Sequence, residues 1–141
     1  MAPALRATAS WRGAYATDVA VRSHTVRVDE PADQGGGDTG PMPTELFCAA
    51  LASCFCLAVA HVARKRSLEL PNLRVEVEAE RAGRELRYDR LTVTTAADVD
   101  PETLAPLVDR AKAFCWVSNT LAAGTTLEYR TCTSRHEHPP E

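Results

Sequence analysis

The sequence carries no surplus of basic residues. Sixteen Lys and Arg stand against nineteen Asp and Glu, a formal charge of −3. A nucleic-acid binder usually presents a basic stripe and a positive balance. The nearest approach is Arg64-Lys65-Arg66, and three cations at a helix C-terminus answer the helix dipole instead. No nucleic-acid partner is expected. No secretory leader is expected either, because residues 1–10 hold no apolar core of the needed length. The five cysteines, at 48, 54, 56, 115 and 132, are odd in number. Odd cysteines without a leader point to a reducing, cytoplasmic compartment, with thiols used for chemistry or packing. There is no Cys-x-x-Cys. Cys54 and Cys56 would sit about 200° apart around a helix and cannot converge on one ion. His136-x-His138, in a polar tail, reads as incidental. No metal and no cofactor are therefore expected. A Gly-x-Ser-x-Gly elbow is missing, so a serine hydrolase has no support. Gly35-Gly36-Gly37 lacks the Gly-Lys-Ser/Thr ending of a phosphate loop. Its expected job is to bring the chain close to a neighbouring backbone. No internal repeat is visible.

What is present suits a single domain over residues 1–141. The apolar share of 45% and charged share of 25% are ordinary for a soluble globular chain. Residues 46–63 form the longest apolar stretch and reach the ~18 residues a membrane span needs. They also hold Ser53, His61, three cysteines and many alanines. A buried core helix is the better reading, and no membrane partner is expected.

Residues 1–42 read as N-terminal strands and a glycine-rich loop. Strands are expected over 5–11, 17–21 and 24–28, the last two from polar–apolar alternation. Pro and Gly over 31–43 exclude regular structure. A central helix is expected over 43–67, opened by Pro43 with Glu45 in the first turn. It is apolar almost all round until Arg64, the pattern of a fully buried helix. Strict alternation over 73–81 predicts a half-buried strand. Ala82-Gly83 marks a turn and 84–95 a second strand. Asp100, Pro101 and Glu102 open another helix, which runs to about Phe114. A short helical turn over 116–122 and a last strand over 125–133 follow, and 134–141 reads as a loose tail. The class is α+β with antiparallel pairing. A long helix apolar on all faces needs more cover than this chain supplies, which predicts an obligate homodimer.

The candidate chemistry lies with the cysteines. Taken one by one, each reads first as a small buried hydrophobe. His61 lies on roughly the face of Cys54 but about 10 Å along the helix, too far for a direct Cys–His pair. It reads as a core or interface histidine. Asp29-Glu30-Pro31, the run from Gly35-Gly36-Gly37-Asp38 through Gly40-Pro41 and Pro43 to Glu45-Leu46, and Ala49-Ala50-Leu51-Ala52-Ser53-Cys54 resemble the OsmC/organic hydroperoxide resistance (Ohr) superfamily. So does Cys115-Trp116-Val117-Ser118-Asn119. The resemblance covers nearly the whole chain, in the family's order, and lies closest to the OsmC-like branches.

This resemblance implies an intertwined homodimer, with antiparallel sheets around two long central helices. It implies a thiol peroxidase at the dimer interface, with Cys54 as the peroxidatic thiol and Cys115 as the resolving one. Cys54 would attack a small-molecule hydroperoxide, and Cys115 would close the sulfenic acid to a disulfide. A lipoyl-type or small dithiol would reduce the pair. Leu51, Phe55, Phe114 and Trp116 are expected to line an apolar pocket favouring organic peroxides. The chemistry needs a stabilised thiolate. The candidate activators are Arg12, Arg22, or backbone N–H groups over 115–119. The chain departs from the hydroperoxide-resistance branch at the helix start. Thr44 stands where that branch has Glu, and Glu45 falls one place later, about 100° around the helix. Cys48, Cys56 and Cys132 match no family role and read as structural. The alternative is a non-catalytic dimer that binds a small hydrophobic ligand or senses redox state.

Overall fold

The computed structural model describes residues 3–133. The expected tail over 134–141 lies outside the described residues. The chain opens with a three-stranded antiparallel meander of β1 (Thr8–Trp11), β2 (Thr17–Val21) and β3 (His24–Val28). Val19 pairs with Val26 and Asp18 with Arg27, so the ladder register also aligns an ion pair across the strands. Arg22, in the β2–β3 turn, adopts a φ of 54°. A side chain at positive φ costs roughly 1 kcal/mol or more, so arginine is an unusual choice there.

The glycine-rich segment approaches its neighbours as closely as the sequence predicts. A Cβ on Gly36 would lie 2.0 Å from the Glu30 carbonyl oxygen, and one on Gly40 would lie 2.1 Å from that of Arg27. Asp29 holds the loop. Its side chain is almost fully buried. It accepts the Thr39 hydroxyl at 2.6 Å, the Glu30 N–H at 2.8 Å, and the N–H groups of Gly37 and Thr39 at 3.2 Å each. This clamp delivers the chain to α1 (Pro43–Lys65). Glu45 caps that helix by accepting the Met42 N–H at 2.9 Å.

Two strands follow, β4 (Arg74–Arg81) and β5 (Tyr88–Ala96), paired antiparallel. Val75, Val77 and Ala79 turn inward while Glu76, Glu78 and Glu80 turn out. The expected turn at Ala82-Gly83 is longer, and β5 begins at Tyr88 rather than at 84. Arg81 explains the difference: its guanidinium donates to the carbonyls of Arg84 and Glu85, and the Ala82 N–H donates to Arg87. These bonds use residues 84–87 in a loop. Helices α2 (Pro101–Ala111) and α3 (Trp116–Ala123) close the fold, joined through a 3₁₀ turn at Lys112–Phe114.

One correction concerns residues 125–133, expected as a last strand. They form no ladder among the described residues, and Leu127 and Tyr129 are 74% and 89% exposed. Strand propensity there meets no partner edge within the chain.

The core lies where one face of α1 meets β4, β5 and α2. Leu51, Phe55, Ala58, Val59 and Val62 pack with Leu107, Ala111 and Cys115. Val59, Leu107 and Cys115 have no exposed surface. Full burial of a side chain such as Leu107 is worth about 2–3 kcal/mol. By length and hydropathy alone α1 could cross a bilayer. Within a single chain, however, it is buried on one face and not all round. Leu57 is 71% exposed and Phe47 38%.

The Asp29 clamp gives a pH prediction. The Thr39 hydroxyl holds the Asp29 carboxyl below its usual range, against the upward push of burial, with the N–H groups of Thr39, Glu30 and Gly37 adding to the effect. A folded-state value below the unfolded one stabilises the fold above about pH 4, and that contribution is lost as pH falls through the lowered value. Urea midpoints of the native chain should fall on acidification more steeply than those of Asp29→Asn. Parallel curves for the two proteins would remove the clamp's ionic role.

Candidate thiol site

Cys54 and Cys115 meet, although 60 residues separate them in the sequence. Cys54 projects from the middle of α1 and is half-buried against the core. Cys115 follows the 3₁₀ turn in extended backbone, φ −91° and ψ 102°, and takes the N-cap position of α3. The Cys54 side chain lies near enough to Cys115 to help lower its thiol. The Ser118 N–H points at the same sulfur, with N···Sγ 3.5 Å.

The electrostatics of the pair are lopsided. Burial pushes the Cys115 thiol up. The Ser118 side chain and N–H, the Cys54 side chain and the Val117 N–H outweigh it and bring the thiol below its ordinary value, although the Ser118 hydroxyl itself points at the Cys115 carbonyl, 3.3 Å away. The free N–H groups at the start of α3 are the natural source of this stabilisation. The expected backbone donors over 115–119 are therefore present, but they serve Cys115 and not Cys54. The short spacing from Cys115 to Ser118, that of an N-cap to its third helical residue, carried the signal. Chemically, two thiols in contact can close to a disulfide with the loss of two electrons and two protons.

The other sequence candidates fall in several places. Arg12 is committed elsewhere: its Nε lies 2.8 Å from an Asp18 oxygen, and Arg27 holds the other oxygen at 2.6 Å. Arg22 is exposed on its turn and makes no ion pair among the described residues. Both arginines ride on the β1–β3 sheet, which makes no more than marginal contact with the helices of its own chain. Among the described residues, no arginine hydrogen-bonds Cys54. Thr44 is exposed at the helix start, in a cleft shared with Glu30, Arg81 and Arg87. Glu45 is spent on the helix cap. Leu51 and Phe55 are core residues, whereas Phe114 and Trp116 line an open groove on the far side of the turn, with Trp116 83% exposed. These four do not share one wall. Cys48 and Cys56 are half-buried on α1, and Cys132 is exposed. His61 is exposed rather than in the core, and its ring stands 5.1 Å from that of Phe114.

A family model described as OsmC-like protein matches residues 35–130, a segment that contains both cysteines. The chain belongs to this OsmC-like family. A curated relative, the organic hydroperoxide resistance protein OhrB of Bacillus subtilis, is 30% identical over 82 residues. That match spans 56% of this chain and 60% of the relative. The crystal structure of OhrB superposes with a TM-score of 0.59 at 27% identity, covering 82% of this chain and 88% of OhrB. The OsmC-like protein of Mycoplasma pneumoniae superposes at 0.74 with 15% identity, over 86% and 89% of the two chains. At that identity the likeness speaks for the fold alone.

The lopsided thiol pair is testable. In a Cys54→Ser background, Ser118→Ala removes the hydroxyl donor and should move the Cys115 titration upward. The pH dependence of thiolate absorbance reads this directly. An unmoved curve would mean that the backbone donors alone set the thiol.

Proposed function

We propose that the protein is a thiol-dependent reductase of organic hydroperoxides that works as a homodimer in the cytoplasm. The observation that carries the reading is the contact between Cys54 and Cys115 at the junction of α1 and α3. Access assigns the roles. Cys115 has no exposed surface, while Cys54 is half-buried. A peroxide can reach Cys54 and not Cys115. The Cys54 thiolate attacks the outer peroxide oxygen, the O–O bond breaks, and the organic portion leaves as an alcohol after taking a proton. Cys54 is then a sulfenic acid. Cys115, kept acidic by the α3 donors, attacks that sulfur as a thiolate. Water leaves and the disulfide forms. An external dithiol, lipoyl-type or small, restores both thiols by exchange.

The same geometry favours a dimer. The bare side of α1 carries Phe47 and Leu57, and the β1–β3 sheet makes no more than marginal contact with the helices of its own chain. Each surface lacks a cover, and a second copy supplies both. In that arrangement the partner sheet brings an arginine towards Cys54. Arg12 is neutralised by Asp18, which leaves the partner's Arg22 as the freer cation to activate the thiolate.

Two predictions follow from these assignments. Cys54→Ser should abolish turnover of cumene hydroperoxide with a dithiol. Cys115→Ser should complete one turnover and stall, with a sulfenic acid that dimedone traps. Full activity in Cys54→Ser would sink the assignment and favour the non-catalytic binder.

Arg22→Gln should lower turnover about tenfold or more, the scale of a lost charge-stabilising group. Arg12→Gln should cost less, and sedimentation should show a dimer in every case. A stable folded monomer that retains full activity would remove the partner's part.

A further inference from the structure

The last turn of α1 and the end of α2 enclose a second cleft, of about 310 Å³. Its floor is apolar: buried Val62, with the rings of His61 and Phe114. Its rim is cationic. Lys65 and Arg66 come from α1 and its C-cap, and Arg110 from α2. The Arg110 guanidinium stands 5.1 Å from the centre of the Phe114 ring. Among the described residues, no acidic one lines the cleft. Among the described residues, none of these three cations makes an ion pair.

A helix dipole accounts for basic residues in the last turn of α1, but not for this set. Arg64, from the same basic run, turns into a neighbouring groove that also contains Glu69. Arg110 comes from a different helix. Three cations from two elements thus converge over an apolar floor in a chain of net charge −3. Leaving like charges together without a counter-ion costs energy that an anionic ligand recovers. The volume lies at the small end of the range for organic-ligand sites. Paired guanidinium groups suit a carboxylate, which accepts two parallel N–H bonds from each fork. Flat ring walls suit a planar apolar body.

We propose that this cleft binds a small organic carboxylate with a planar apolar body, its carboxylate on Arg66, Arg110 and Lys65 and its body against Phe114 and His61. The site stands whether or not the thiol pair reduces peroxides. It is nonetheless placed to communicate with that pair. Phe114 immediately precedes Cys115. His61 and Lys65 fall within about 20° of the line of Cys54 along α1.

Calorimetric titration of the full-length protein with naphthoate tests the proposal. Saturable binding is expected, and the uncharged naphthamide should bind at least about tenfold more weakly, the scale of one net hydrogen bond to charge. Arg66→Gln and Arg110→Gln should each weaken naphthoate by a similar factor. Arg64→Gln, which removes the same charge from the neighbouring groove, should leave it unchanged. Rising ionic strength should weaken binding further. Equal affinity for the amide would overturn the proposal. So would equal losses in all three variants, or displacement of naphthoate by an equal concentration of inorganic phosphate. Peroxidase activity is not the readout, so failure here leaves the thiol reading intact.

Discussion

The rest of the molecule is arranged around a helix that is more apolar than its own chain can cover. One face of α1 is spent on the core, where Val59 and Val62 meet β4, β5 and α2. A second stripe, carrying Cys54, runs beside the 3₁₀ turn and α3. The remaining surface, with Leu57 at its centre, is bare. Apolar area in water costs roughly 25 cal/mol per Å². A chain that leaves so much of its longest helix uncovered invites a second chain to lie on it. The β1–β3 meander adds to this. A three-stranded sheet in no more than marginal contact with the helices of its own chain gains little from burial, yet its residues form a regular ladder with an Arg12–Asp18–Arg27 network on one face. A sheet of that kind is finished by a surface it does not itself possess.

The thiol pair divides two requirements that one cysteine seldom meets in a crowded core. A nucleophile must be reachable, and it must be ionised. Cys54 is reachable because it sits on the edge of the core face. Cys115 is stabilised because it caps α3, where N–H groups have no helical acceptor. Its burial alone would raise its pKa, so the cap must do more than compensate. This division suits a cycle in which one sulfur meets the substrate and the other must attack quickly afterwards. Cys54 packs against the cluster that contains Cys115, so the two thiols are neighbours before any oxidation.

Much of this was legible in the sequence, and the gaps have physical causes. The strands at 17–21 and 24–28, the start of the long helix at Pro43 and the alternation of β4 follow from local periodicity, and each was recovered to within a few residues. The close approach at Gly36 was legible because three successive glycines have few other uses, whereas that of Gly40 to the Arg27 carbonyl shows only in the folded loop. The length of the β4–β5 loop was not, because it depends on where the Arg81 side chain folds back. The strand expected over 125–133 failed for a related reason. Propensity describes a residue, whereas a ladder needs an edge, and no pattern in Thr125, Leu127 or Tyr129 reveals whether one is near. At the thiol site, two motifs far apart in sequence implied the meeting of Cys54 and Cys115. The direction of the Ser118 and Val117 donors emerged only with the backbone turn at Cys115.

The placement of Arg22 ties these threads together. An arginine at positive φ is disfavoured, and the tip of a hairpin usually takes glycine or asparagine there. Natural chains keep such strain where something else requires the side chain. Arg22 has no acidic partner among the described residues, while Arg12 and Arg27 share Asp18. The meander therefore carries two cations held on one carboxylate, and a third, Arg22, that is exposed and has no acidic partner among the described residues. Among the described residues, Cys54 has no arginine within hydrogen-bonding contact. A thiol without a cation and a cation without an anion, both on surfaces that a single copy leaves uncovered, are what separating the two halves of one interfacial site would produce.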